Sequence, residues 1–119
     1  MATTTIAGDY EALTVTRVNN NYANAESVGR ISAWRQGAVY GITFNFNPST
    51  SIPALQTSFF KIATISGWNP SHRILQTIPS QTNNSTICVD VLTSGDVQIV
   101  NTSQTATGNT FFRANLITT

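Results

Sequence analysis

Ala38-Val39-Tyr40-Gly41-Ile42-Thr43-Phe44-Asn45-Phe46 is the stretch that decides the fold. Tyr40, Ile42, Phe44 and Phe46 share one face of an extended chain, and Gly41, Thr43 and Asn45 share the other. This period of two marks a half-buried strand, because successive side chains of a strand point to opposite faces. Residues 28–36 read as a strand before it, with Gly37 as the turn, so 28–46 is predicted to form a β-hairpin. Asn47-Pro48-Ser49-Thr50-Ser51 ends the run, since proline has no N–H to donate to a ladder.

Outward from this hairpin the same grammar repeats. Upstream, 12–18 alternates loosely as a weak strand and stops at Asn19-Asn20-Asn21. Downstream, 59–65 is an apolar strand followed by the breakers Ser66-Gly67-Trp68-Asn69-Pro70. Residues 73–78 form a short strand closed by Pro79, and 81–85 a polar loop. Residues 86–92 and 97–100 make a hairpin around Thr93-Ser94-Gly95-Asp96. Residues 101–109 read as a flexible loop before the last strand, 110–117. That strand has an aromatic on each parity, Phe111 and Phe112, so alternation does not say which is inside. No helix-length amphipathic pattern, heptad or internal repeat occurs. The predicted fold class is all-β, a compact antiparallel barrel or sandwich. It is one domain over 1–119, with 1–27 an N-terminal segment carrying the weak strand and 28–119 the core.

Composition narrows the function. Charged residues are only 9% of the 119, against roughly a quarter in an ordinary soluble domain. Ser, Thr and Asn take their place. The formal net charge is +1, with no basic run and no basic–aromatic cluster, which argues against nucleic acid as a partner. No apolar stretch approaches the roughly 20 residues of a membrane helix, and residues 1–8 lack the charged and apolar regions of a signal peptide. The single cysteine, Cys88, lies in an apolar run and reads as a buried thiol. His72 is the only histidine, and no Cys or carboxylate stands at ligand spacing from it, so neither metal nor cofactor is expected. Five acids, Asp9, Glu11, Glu26, Asp90 and Asp96, are scattered and show no catalytic pairing, so a non-catalytic protein is expected.

The order of the pieces is itself informative. Val28-Gly29-Arg30-Ile31-Ser32-Ala33-Trp34-Arg35-Gln36-Gly37-Ala38-Val39-Tyr40 is followed by Ile62-Ala63-Thr64-Ile65 and Gly67-Trp68-Asn69-Pro70-Ser71. Ile87-Cys88-Val89-Asp90-Val91, the turn Ser94-Gly95-Asp96 and the closing Phe111-Phe112-Arg113-Ala114-Asn115-Leu116 complete the set. Over 28–119 this resembles the C-terminal head domains of tail receptor-binding proteins from phages of Gram-positive bacteria, the lactococcal phage heads above all. Gly67, Pro70 and Ser71 agree with the family's loose motif L-P-x-G-x-R-P-S, whereas Asn69 departs from its Arg and the usual Leu-Pro is missing around Ile65 and Ser66. The resemblance implies a compact barrel that forms a homotrimer on the virion, at the phage tail tip or baseplate among other tail proteins. It implies recognition of host cell-wall or surface saccharide or glycerol-phosphate-type polymer. Family members carry a shoulder and a neck before the head, so the chain is expected to be an excised head or a short relative. The alternative is a structural virion component, such as a baseplate or capsid decoration domain, without glycan binding.

A saccharide site needs flat aromatic faces and planar polar groups. By residue type the candidates are Trp68, His72, Arg73 and Asp90. Trp68 sits in a turn, where it either faces a ligand or plugs the end of the barrel. Arg73 suits a hydroxyl, a phosphate or a protein carboxylate. Asp90, mid-strand on the parity of Cys88 and Leu92, is solvent-facing or held by a partner. Trp34 and Phe111 are expected to pack against a neighbouring element or at a subunit interface.

Overall fold

The computed structural model describes residues 10–82 and 84–119. Its elements in chain order are β1 (Tyr10–Leu13), β2 (Val15–Arg17), α1 (Ala25–Gly29), β3 (Ser32–Gln36), β4 (Val39–Phe46), β5 (Phe60–Ile65), β6 (Ile74–Pro79), β7 (Thr86–Val91), β8 (Asp96–Val100) and β9 (Phe112–Thr118). They form two antiparallel sheets, one in the order β1-β3-β4-β9 and the other β2-β5-β8-β7-β6. The sheets pack face to face as a sandwich and do not join into a closed barrel, which decides between the two architectures the alternation allowed.

Two features hold the sandwich shut at its sides. On one side the chain changes sheets at Thr14, between β1 and β2, and the Thr14 carbonyl accepts from the Ser66 amide at 2.9 Å. On the other, the end of β6 meets β9 through an isolated bridge between Ser80 and Phe112. The weak strand expected over 12–18 is therefore two short strands, one for each sheet.

The β3–β4 hairpin has the predicted turn. Gln36 faces Val39 across a two-residue loop in which Gly37 has φ 61°, a conformation glycine reaches without a Cβ clash. Its first strand is shorter than expected, because residues 25–29 form a helical turn. The Asn24 side chain accepts from the Ser27 amide, and Ser27 in turn reaches the Asn24 amide, a capping box that stabilises the turn locally. Val28 and Ile31 are still buried, as a strand reading would require, but from helix and linker.

The core is what the period-two pattern selects. Tyr40, Ile42, Phe44 and Phe46 of β4 face Ile62, Val89, Val91, Val97 and Ile99 of the other sheet, all buried. A bulge in β5 between Lys61 and Ala63 turns both Ile62 and Ala63 inward, which accounts for the unbroken apolar run there. In β9 it is Phe112 that is buried. Phe111 lies outside, between the guanidinium groups of Arg30 and Arg113 at 5.2 and 4.5 Å from its ring centroid.

Segment 101–109 is tied to the β4–β5 connection. The Asn101 side chain donates to the carbonyls of Ile52 and Thr105 at 3.3 and 3.0 Å and accepts from the Ser103 amide at 3.1 Å. A bridge pairs Ile52 with Thr107.

Candidate functional site

The four candidates chosen by residue type separate into two places. Trp68 and His72 lie at one loop end of the sandwich. Arg73 and Asp90 lie on the outer face of the five-stranded sheet.

At the loop end, the turn after β5 runs through Gly67 and folds Trp68 back between the sheets, where it is only 4% exposed. Its ring meets Tyr40 edge-on, with centroids 5.2 Å apart and planes at 65°. Trp68 thus plugs the end of the sandwich and offers no face to a ligand. His72 is exposed, but its amide and its Nδ1 both reach the main-chain oxygen of Thr119, at 3.1 and 2.7 Å. Facing an acceptor, Nδ1 carries the proton. Thr118 Oγ1 donates back to the His72 carbonyl at 2.9 Å, so His72 joins the chain ahead of β6 to the end of β9.

Beside these residues is a cleft of about 180 Å³ lined by Arg35, Gly37, Tyr40, Asn69, Ser71 and Thr119. Arg35 is held in place: Nε donates to the Gly37 carbonyl at 3.0 Å, and the guanidinium sits 5.7 Å from the Tyr40 ring centroid. That leaves its two terminal nitrogens to meet a ligand. The cleft therefore presents a planar guanidinium, an amide and a hydroxyl beside the edge of Tyr40, a set suited to paired hydrogen bonds with hydroxyl groups.

On the five-stranded sheet, the Asp90 side chain is 4% exposed although it points outward. Gln98 on β8 stands opposite it and donates to Oδ2 at 2.9 Å, while Arg73 Nε lies 3.6 Å from Oδ1. Lys61 and Asp96 pair at 3.3 Å on the same sheet. Cys88, on the face of Asp90, has its thiol pushed up from the ordinary value, first by burial and then by the Asp90 charge. Asp90 is thus held by this chain's own residues, in an intramolecular polar row.

Residue-type reasoning missed Arg35, Asn69 and Ser71, and also Tyr10. Tyr10 stacks on Trp34 outside the four-stranded sheet, with centroids 6.3 Å apart and planes at 27°. The available signal was Gly41. An isolated glycine inside a strand marks a close approach, and here the Trp34 indole occupies the space a side chain would need. Among the described residues no group of three or more His, Cys, Asp or Glu is placed to hold a metal ion, and no helix is long and apolar enough to cross a membrane. Glu26 pairs with Arg30 at 3.5 Å, so Glu26, Asp90 and Asp96 are each engaged locally, while Asp9 lies outside the described residues.

A scan against protein-family models, a search of curated proteins and a search of solved structures found no match for this chain.

Proposed function

We propose that this chain is a non-catalytic saccharide-binding head of a phage tail receptor-binding protein, which recognises glycan on the host cell surface through the loop-end cleft. The observation that carries this reading is the cleft itself. Arg35 is fixed by Gly37 and Tyr40 with Asn69 and Ser71 beside it, a preorganised hydrogen-bonding wall built around one guanidinium. The low charge of the chain fits a polyol better than nucleic acid. The resemblance of 28–119 to the heads of Gram-positive phages supplies the biological setting: a homotrimer at the tail tip or baseplate, among other tail proteins.

A single site of this kind is weak, because sugar hydroxyls exchange water for protein partners with little net gain. Copies presented together on one tail raise apparent binding by roughly 100-fold or more through effective concentration. The test is titration of purified Gram-positive wall polysaccharide against wild type, Arg35→Ala and Asn69→Ala, with light scattering for oligomeric state. Binding that falls about tenfold in the variants while the fold persists supports the reading. Undiminished binding in both moves the site elsewhere. No binding by the wild type favours a structural virion component.

A further inference from the structure

The outward residues of the four-stranded sheet form one continuous strip that the loop-end cleft does not use. Ala12, Trp34, Gly41 and Ile117 stand opposite one another across β1, β3, β4 and β9. The next rank along the strands is Ser32, Thr43 and Asn115, and the one after pairs Asn45 with Arg113. The first rank is apolar: the Trp34 indole reaches over Gly41, and Tyr10, 65% exposed and opposite Gln36, stacks on it from beyond the rank. The polar ranks border a shallow hollow of about 240 Å³.

The two kinds of rank together narrow the ligand. An aromatic pair alone suits any apolar partner. A dry protein or lipid surface laid along this strip, however, would strip water from Thr43, Asn45 and Asn115 without replacing their hydrogen bonds, at about 1–3 kcal/mol each. A chain of sugar rings supplies both needs, with apolar ring faces for stacking and hydroxyls for the amides. Among the described residues the strip holds no carboxylate. Its one charged group, Arg113, already donates to Asn45 Oδ1 at 3.3 Å and sits over Phe111. Arg113 keeps its charge in both contacts, so the strip disfavours a cationic ligand and suits a neutral or acidic sugar chain. From Gly41 to Asn45 the strip runs roughly 13 Å, longer than one sugar ring.

We propose that this strip is an extended groove for an oligosaccharide, with Trp34 and Tyr10 stacking one ring and Thr43, Asn45 and Asn115 bonding the hydroxyls of rings further along. The inference rests on the saccharide reading above for the class of ligand but not for the site.

The experiment is acrylamide quenching of tryptophan fluorescence during titration with neutral oligosaccharide ladders and with neutral Gram-positive wall polysaccharide. Trp68 is buried, so the quenchable signal reports Trp34. Expected are protection of Trp34 that grows with chain length and an affinity about tenfold lower in Trp34→Ala. Tyr10→Ala and Asn115→Ala, at exposed positions where folding is not at risk, should each weaken binding several-fold. Glycan binding lost only in Arg35→Ala and Asn69→Ala, with Trp34 quenchable throughout, overturns the groove and leaves the loop-end reading standing. No binding of any of these glycans overturns both. A smaller oligomer in light scattering for Tyr10→Ala makes the strip a subunit interface and overturns the groove.

Discussion

The Trp34 indole lies across Gly41 on the paired strand, so close that a methyl group at residue 41 would overlap the ring. The glycine sits mid-strand, where its lack of a side chain would ordinarily weaken pairing. Gly41→Ala is expected to cost about 1–3 kcal/mol, because the new methyl must displace the ring. Trp34→Ala made on top of Gly41→Ala should restore much of that loss. Urea unfolding of the two single variants and the double variant measures the coupling, and simple additivity would show that the two residues do not interact.

Asp90 depends on Gln98 more than on Arg73. Gln98 gives the buried carboxylate its hydrogen bond, whereas the Arg73 side chain is 53% exposed and its Nε is 3.6 Å away. Gln98→Leu is expected to destabilise by about 1.5–3 kcal/mol, as a hydrogen bond to a buried charge is lost. Arg73→Ala should cost less than about 1 kcal/mol, as water screens a half-exposed partner. The opposite order in denaturant midpoints would show that the ion pair is what holds Asp90.

Asn101 is fully buried, and its amide serves the Ile52, Thr105 and Ser103 backbones at once. Asn101→Asp should be at least as damaging as Asn101→Ala, because a carboxylate cannot donate to two carbonyls and would be buried without a cation. Either change is expected to cost about 2–4 kcal/mol. Thermal unfolding checks this, and a shift in midpoint too small to measure would mean that 101–109 is held by other contacts.

Cys88 supplies a pH prediction. Burial first and the Asp90 charge second raise its thiol above the ordinary value, so the folded protein favours the neutral form. A raised folded value stabilises fully below the unfolded thiol's pKa, and that contribution is lost as pH climbs through the folded one. Stability should therefore decline on the alkaline side, and Cys88→Ser should flatten the decline. Labelling by a disulfide reagent near neutral pH should be slower than for a free thiol and should quicken as pH rises. Labelling as fast as that of a free thiol would remove the basis for both statements.

The sequence alone determined the all-β class and the inner face of the clearest strands. Alternation along Tyr40, Ile42, Phe44 and Phe46, or along Ile87, Val89 and Val91, is a property of one extended segment and its solvent, and all of these residues are buried as it predicts. The turn at Gly37 was legible for the same reason, since its backbone requirement is local. The helical turn at 25–29 was not, because five residues are too few to display a helical period, and only the Asn24–Ser27 cap marked it. Tertiary structure decided the rest. Phe112 rather than Phe111 faces inward because β9 pairs with β4 in one register. Two sheets form rather than a barrel because β1 pairs with β3 and β2 with β5, so the ladder does not run on from one sheet into the other. Trp68 turns from an exposed-looking loop onto Tyr40, and Arg73 reaches Asp90 through the pairing of β6 with β7. The Trp34 platform exists only because β3 sets Trp34 opposite Gly41. Each of these depends on which distant strand becomes the neighbour, and that choice belongs to the packing of the whole chain, not to any one segment of it.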